Sequence, residues 1–425
     1  MADAPVGAGP AQLSAGARTA AALALALVAL GLLVTRSWRI DFDYSIDFQT
    51  YWLAGRRVVT GEAARLYDAG GGEGDGTPAA MAAHEFKNLP IVAAAFAPLA
   101  TLPYIEAKRI FWWLSLGAVV AGGALSGVAL LPHTLGSKTA RAALAVAGAA
   151  ALAPTHAALR HGQTTPFVML ALACAFAARA RGRNAVSGGW LGAASVVKFP
   201  PLALVLLDAV RGRGRAVAGA LVAAGAAAAA SLALFGPALN RAYVVGLAQH
   251  AGTVMTGHNN QSLLAIAMRL VEPSLVNDWT PRPAPAGVAA AALLATAALA
   301  ALAAGALFRS RRSRDERLEA PMALALGTIA LPVAWDHYAL LFVPALCALV
   351  AGLEAKGLLS LPRFVVPLAG ASAVLALPTP EPLLAGGVAG PIAAVAISGD
   401  GLAMLVIFAV ATAALVASPR REPVG

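Results

Sequence analysis

Long apolar runs, separated by short polar segments, limit most strongly what this chain can fold into. A helix needs roughly 20 apolar residues to cross the hydrocarbon core of a bilayer. Backbone polar groups at that depth must be satisfied within the segment, which favours helices. Of the 425 residues, 59% are hydrophobic and 12% are charged, about half the charged fraction of a typical soluble domain. The sequence therefore predicts an all-α polytopic membrane protein.

The apolar runs predict about 10–12 transmembrane helices in a single domain over residues 19–417. The first run follows Arg18 and has the length of a signal peptide. Residues 36–39 offer no small-residue cleavage site, so we predict an uncleaved first span. A shorter run at 91–103 predicts an amphipathic or re-entrant segment. The expected spans are 19–35, 105–131, 141–158, 164–178, 216–236, 285–308, 320–334, 338–353, 364–378 and 388–417.

The basic residues account for the formal net charge of +10 and lie in short clusters between the apolar runs. Such clusters are typical of loops kept on the cytoplasmic side of a membrane. This pattern favours the lipid bilayer as a partner and argues against nucleic acid. It also predicts cytoplasmic tails at 1–18 and 418–425. The clusters are Lys138 with Arg141, Arg179 to Arg183, Arg211 to Arg215, Arg309 to Arg317, and Arg420 with Arg421.

The segment 185–207 lies between two of these arginine clusters. If both clusters are cytoplasmic, the chain must enter the membrane and return. Pro200 and Pro201 supply a break, because proline interrupts helical hydrogen bonding. We predict a hairpin of two short helices with Lys198 near its apex, although a single span would invert everything downstream. The hairpin places the 36–90 loop and the 237–284 loop on the opposite, periplasmic side.

The first outer loop contains the best candidate for a catalytic base. Asp41, Asp43 and Asp47 lie close to the first span and are interleaved with aromatic residues. A partly desolvated carboxylate can act as a general base. Tyr51 and Trp52 could contact a sugar ring. The alternative is an aromatic belt at the membrane interface with ordinary acidic neighbours.

Two further groups on that side carry positive charge. Arg160 and His161 form a short polar turn with Gln163, and together they could hold a phosphate. Lys198 is an ionisable residue within a membrane segment, which favours a functional role. The alternatives are a simple connecting turn and a lysine that extends to the interface.

The last two groups are polar residues beside apolar runs. Asn260 and Gln261 belong to the segment His258–Ser262, which could cap the next helix or bind sugar hydroxyls. Asp336 and His337 lie in a Trp-Asp-His-Tyr turn, where the carboxylate can orient the imidazole. The alternative for this turn is again an interfacial belt. Five polar groups on one face argue against a transport path, which would place ionisable residues within the spans.

These motifs, taken in order, resemble glycosyltransferase family 87, whose members have the GT-C fold. The resemblance extends from about Asp41 to Tyr338. Its motifs are D-F-x-x-Y-W-x-A-G-R, L-Y-D, F-x-P-L-A, H-G-Q, G-W-L-G-A-A-x-x-x-K-x-x-P, N-Q-S and W-D-H-Y.

The resemblance implies a GT-C-like fold with a catalytic first periplasmic loop in a bacterial inner membrane. It implies that a hexose is transferred with inversion from a polyprenyl-phosphate-linked donor to a lipid or glycan acceptor of the cell envelope. Mannose is the first candidate for this hexose. In that reading Asp47 is the base, and Lys198 with Arg160 or His161 binds the donor phosphate. His337 positions a substrate.

Some alternatives stay open at this point. The segment Phe86–Pro90 departs from the aromatic-Pro-Pro of the family, which leaves the lipid-tail contacts undefined. No cofactor is predicted, although Asp41, Asp43 and Asp47 have the oxygen atoms to share a divalent cation. The rival function is a transporter or flippase of lipid-linked sugars.

Overall fold

A computed structural model describes residues 14–38, 46–68, 86–378 and 390–417. Asp41, Asp43, most of the first predicted tail and all of the last lie outside the described residues. The described part of the chain forms seventeen α-helices. They are α1 Ala15–Trp38, α2 Ile46–Val59, α3 Pro90–Ala100, α4 Tyr104–Leu130, α5 Lys138–Ala151, α6 Ala153–His161, α7 Thr165–Ala180, α8 Asn184–Val197, α9 Leu202–Val210, α10 Gly214–Ala251, α11 Leu263–Val271, α12 Ala286–Arg309, α13 Glu316–Ile329, α14 Phe342–Ala355, α15 Pro362–Ala376, α16 Pro391–Ile397 and α17 Gly399–Val416.

The predicted all-α polytopic membrane fold is confirmed. Within the described residues, six helical segments are long and apolar enough to cross a bilayer, or seven if one bent pair counts as a single span. The sequence predicted about 10–12 crossings. The difference lies in shorter helices such as α7 and α15, which have 16 and 15 residues. Helices of that length fall short of a hydrocarbon core roughly 30 Å thick unless neighbours extend them.

The bent pair corrects one predicted span. The apolar run 141–158 was predicted as a single helix, but α5 and α6 meet at 67° around Leu152. Pro154 lies in the first turn of α6. Proline has no backbone N–H and fits the start of a helix better than its interior. The bend directs the end of α6, with His161, toward the site described below.

The predicted hairpin is present as α8 and α9, which meet at Lys198–Pro201. Its two ends are joined by ion pairs on the side away from Lys198. Arg179, before the hairpin, pairs with Asp208 in α9 and with Glu316 in α13. Arg213, after the hairpin, pairs with the same two carboxylates. The chain therefore enters and leaves the hairpin at the same face of the bundle.

Small residues hold α8 tightly against α10. A methyl group on Gly188 would lie 1.8 Å from the carbonyl oxygen of Ala216, and one on Gly192 would lie 2.3 Å from that of Ala220. Neither distance is sterically possible, so both positions require glycine. Small residues four apart are a common device for close helix packing in membranes. This contact fixes the height of the hairpin and of Lys198 at its end.

Candidate active site

Lys198 lies at the break between α8 and α9. Its backbone is extended, and its side chain is buried with 8% of its surface exposed. The Nζ atom donates a hydrogen bond of 3.0 Å to Oε1 of Gln163. It also lies 4.8 Å from the centre of the Tyr338 ring, within the range of a cation–π contact. Three separate segments therefore meet at one ammonium group.

Asp47 joins this group from the first turn of α2. The free N–H groups of a helix N-terminus favour a negative charge at that position. Asp47 is close enough to Lys198 for their charges to interact, and its charge also reaches His337 and Tyr338. The structure thus brings together the predicted base, the predicted phosphate ligand and the Trp-Asp-His-Tyr turn.

Tyr51 and Trp52 pack against the neighbouring segments of the protein. The Tyr51 ring stacks on Phe96 with centroids 4.7 Å apart, and its hydroxyl lies 3.5 Å from Oγ1 of Thr164. Burial, with a smaller contribution from Asp47, raises the pKa of Tyr51 to about 12. Trp52 Nε1 donates to the carbonyl of Leu102. These contacts fix α2, and with it Asp47, against α3 and the start of α4.

The His161-Gly162-Gln163 turn is shaped by its glycine. Gly162 ends α6 in the left-handed conformation, with φ of 68°. A methyl group on Gly162 would lie 2.4 Å from Cβ of Phe48, which is fully buried beside Asp47. Only glycine meets both conditions at low cost. The close contact sets Gln163 and Asp47 at a fixed separation.

Asp336 and His337 form a carboxylate–imidazole pair. Nδ1 of His337 lies 3.4 Å from Oδ1 of Asp336, which also accepts a 2.6 Å hydrogen bond from the backbone N–H of His337. His337 is 3% exposed, and its Nε2 has no hydrogen-bond partner among the described residues. Buried polar atoms are normally paired, so this nitrogen is an exception within the described part of the chain.

Asn260 and Gln261 hydrogen-bond to backbone groups around the Trp-Asp-His-Tyr turn. Asn260 forms an isolated antiparallel bridge with Trp335, and its Oδ1 accepts hydrogen bonds from the backbone of Ser262 and Ala334. The Gln261 amide binds backbone groups of His258, Ile397 and Gly401. Both side chains are buried and fully engaged in these contacts.

Arg160 and His161 lie further out than Lys198. Arg160 is exposed, and His161 is half-buried. His161 lies close enough to Asp336 and His258 for an electrostatic interaction with each of them. This places His161, the last residue of α6, beside the carboxylate–imidazole pair.

Two residues of the site were not singled out from the sequence. Tyr338 belongs to a motif that was recognised, but its contact with Lys198 was not expected. Arg269 is fully buried in α11 and donates to the carbonyl oxygens of Thr256, Gly257 and Asn260. The signal for Arg269 was available, because an arginine within a short apolar helix needs buried partners.

Comparison with known proteins identifies the family of this chain. No curated protein and no solved structure gives a significant match to the chain. The model of glycosyltransferase family 87 matches residues 86–334, which is more than half of the chain. This protein, a multi-pass membrane glycosyltransferase, belongs to glycosyltransferase family 87.

Proposed function

We propose that this glycosyltransferase transfers a hexose, with mannose as the first candidate, from a polyprenyl-phosphate-linked donor. The acceptor is a lipid or glycan of the cell envelope, and the reaction inverts the anomeric carbon. The observation that carries this proposal is the approach of Asp47 to Lys198 at the end of a membrane hairpin. A base beside a buried cation is the arrangement that transfer from a phosphate leaving group requires.

Lys198 is suited to a phosphate that enters from the lipid. A lysine ammonium is a compact charge that binds phosphate without a fixed orientation. Its contacts with Gln163 and Tyr338 hold the side chain in place before the donor arrives. Phe199 and Leu202, the next residues of the hairpin with exposed side chains, are apolar. An apolar chain attached to the phosphate can follow them.

Asp47 is the general base in this proposal. It takes the proton from the acceptor hydroxyl, and the oxygen attacks the anomeric carbon of the sugar. The bond from that carbon to the phosphate oxygen breaks, and its electron pair leaves with the polyprenyl phosphate. Lys198 offsets the negative charge that develops on the leaving group.

A single displacement is favoured by how the carboxylates are engaged. Retention usually needs a second carboxylate that attacks the sugar directly. Asp336 is already bound to the imidazole and backbone of His337. We assign His337 Nε2 to a hydroxyl or phosphate oxygen of the substrates, while Asn260 and Gln261 position the turn that carries it.

The hairpin supports one orientation of the protein in the membrane. The arginines Arg179, Arg211 and Arg213 lie at its base, and Lys198 lies at its opposite end. Basic loop residues favour the cytoplasmic side. We therefore place the active site at the periplasmic face of a bacterial inner membrane, with both tails cytoplasmic.

A reaction in detergent tests this function against lipid-linked sugar transport. The purified chain is mixed with polyprenyl-phosphate-mannose and a detergent extract of envelope lipids, and new glycolipids are followed by mass spectrometry. A transferase forms a product with the mass of one added hexose and releases polyprenyl phosphate. A transporter has no membrane to act across under these conditions, so the absence of any product would contradict the proposal.

A further inference from the structure

An excess of arginine lies at the face of the bundle away from Lys198, where three turns of the chain meet. The turns are 179–183 before α8, 208–215 at the junction of α9 and α10, and 309–319 between α12 and α13. Together they contain eleven arginines and four carboxylates. Arg211 donates to Oγ of Ser310, and Arg179 pairs with Asp208. These contacts join the three turns into one surface.

The four carboxylates of these turns are all paired with arginines of the same turns. The pairs join Asp208, Asp315, Glu316 and Glu319 to Arg179, Arg211, Arg213 and Arg317. Glu319 and Asp208 are buried beneath the surface, so they are not accessible to other cations. Seven of the eleven arginines therefore make no ion pair within the described residues.

Four of these seven arginines are exposed and make no hydrogen bond, ion pair or ring contact with any described residue. They are Arg183, Arg215, Arg309 and Arg312, and we call them the arginine surface. A guanidinium carries five N–H donors in a planar arrangement that matches the oxygen atoms of a phosphate. The arginine surface is thus an accessible set of phosphate-binding groups whose charge is not neutralised by neighbouring side chains.

The arginine surface consists of two pairs on a packed frame. Arg183 directly precedes α8, and Arg215 is the second residue of α10. The starts of these helices are in contact, because a methyl group on Gly219 would lie 2.0 Å from the carbonyl oxygen of Ala185. Arg309, the last residue of α12, and Arg312 are three residues apart. The ion pairs beneath hold these turns in place, so a ligand need not order the backbone.

Exposed apolar side chains adjoin the arginine surface. Phe308, which is 66% exposed, directly precedes Arg309, and Val186, which is 51% exposed, lies one turn after Arg183. Side chains of this kind suit contact with acyl chains, while arginine side chains extend to the headgroups. A soluble anion would contact only the guanidinium groups, whereas a lipid would contact both kinds of side chain. The arrangement favours a lipid.

We propose that the arginine surface binds the phosphate groups of anionic lipids in the adjacent leaflet. Anionic lipids attract clusters of basic residues next to a membrane helix. The inference goes beyond the proposed function, because the surface lies at the end of the hairpin opposite to Lys198 and takes no part in glycosyl transfer. It also differs from the rule that basic loops set topology, since it concerns only the arginines that remain unpaired after folding.

The lipid selectivity of the full-length chain tests this proposal. The protein is reconstituted in phosphatidylcholine vesicles that contain a small fraction of spin-labelled phosphatidylglycerol or spin-labelled phosphatidylcholine. Electron paramagnetic resonance gives the fraction of each label that is immobilised at the protein. We expect phosphatidylglycerol to associate about fivefold more strongly at low salt, the factor that roughly one basic residue near an anionic lipid supplies. High salt should reduce this preference, because exposed charges are screened.

Two double variants locate the binding on the arginine surface. Arg183→Gln combined with Arg215→Gln should lower the preference for phosphatidylglycerol, and so should Arg309→Gln combined with Arg312→Gln. All four changes together should abolish it. The matched control is Lys138→Gln combined with Arg363→Gln, which removes two exposed charges from the starts of α5 and α15. This control should keep the wild-type preference, and thermal melting verifies that each variant is folded.

Equal immobilisation of the two labelled lipids by the wild type would overturn the proposal. That comparison needs no substitution, so it holds even if a variant fails to fold. A full preference for phosphatidylglycerol in the fourfold variant would also overturn it. Sodium phosphate is compared with sodium chloride at equal ionic strength to distinguish a lipid from a free anion. Displacement of the labelled lipid by phosphate alone would identify a free-anion site and contradict the proposal.

Discussion

Lys198 and Gln163, which are 35 residues apart, are joined by a 3.0 Å hydrogen bond between Nζ and Oε1. Lys198 lies at the tip of the hairpin, between α8 and α9, and Gln163 follows the glycine that ends α6. Both are buried, so the contact is protected from water and fixes the position of the ammonium group. The donor site we propose depends on this contact and on the ring of Tyr338 beneath the lysine.

Removing the ammonium group tests the donor site. Lys198→Ala should raise the donor KM about 30-fold, because losing one partner of a buried charged contact costs roughly 2 kcal/mol or more. Initial rates at varied polyprenyl-phosphate-mannose provide the measurement. Lys138→Ala is the control, since Lys138 is exposed at the start of α5. An unchanged donor KM in Lys198→Ala would leave Lys198 as a structural residue.

The contact between Gly162 and Phe48 can be separated from backbone strain. Gly162→Ala introduces both a strained φ of 68° and a clash with Phe48. Gly182→Ala introduces a similar strain, with φ of 72°, and no atom lies within 4 Å of the added methyl group. A strained residue of this kind costs on the order of 1–3 kcal/mol. We expect the lower melting temperature and the larger loss of activity in Gly162→Ala, and equal losses would show that the contact with Phe48 is unimportant.

The ion pairs at the base of the hairpin should contribute strongly to stability. Glu319 is fully buried and pairs with Arg211 and Arg213. Glu319→Gln leaves both guanidiniums without full compensation, and breaking a buried pair costs roughly 3–5 kcal/mol. Glu316→Gln is the matched change, because Glu316 is 35% exposed. Thermal melting in detergent should show a clearly larger decrease for Glu319→Gln; similar decreases would mean that burial of the pair does not matter.

The sequence was sufficient to predict the features that depend on local chemistry. Two prolines between arginine clusters predicted the hairpin and its lysine. Apolar runs predicted most helix positions to within a few residues, as α12 Ala286–Arg309 against the expected 285–308 shows. The bend at Leu152 was missed because the run 141–158 was judged by hydropathy alone, although Pro154 was there to indicate it.

The long-range contacts were harder to predict, since their partners are often backbone atoms. Arg269 donates to backbone carbonyl oxygens. Every residue has such an oxygen, so the sequence does not indicate which of them Arg269 contacts. The engagement of Asn260 and Gln261 with backbone groups was likewise not visible. Their side chains were predicted to cap the next helix or to bind a sugar, and in the structure they hydrogen-bond to backbone groups around the Trp-Asp-His-Tyr turn.

Replacement of Asp47 by asparagine tests whether this carboxylate is the general base of the transfer reaction. The amide keeps the size of the side chain but cannot take the acceptor proton, and loss of a general base typically reduces rates by about 10²–10⁴-fold. Asp68→Asn is the control, because Asp68 is an exposed carboxylate that pairs with the nearby Arg65. We expect that Asp47→Asn remains folded and binds donor but forms almost no product in detergent, while Asp68→Asn is fully active. Glycosyl transfer at the wild-type rate by Asp47→Asn would contradict it.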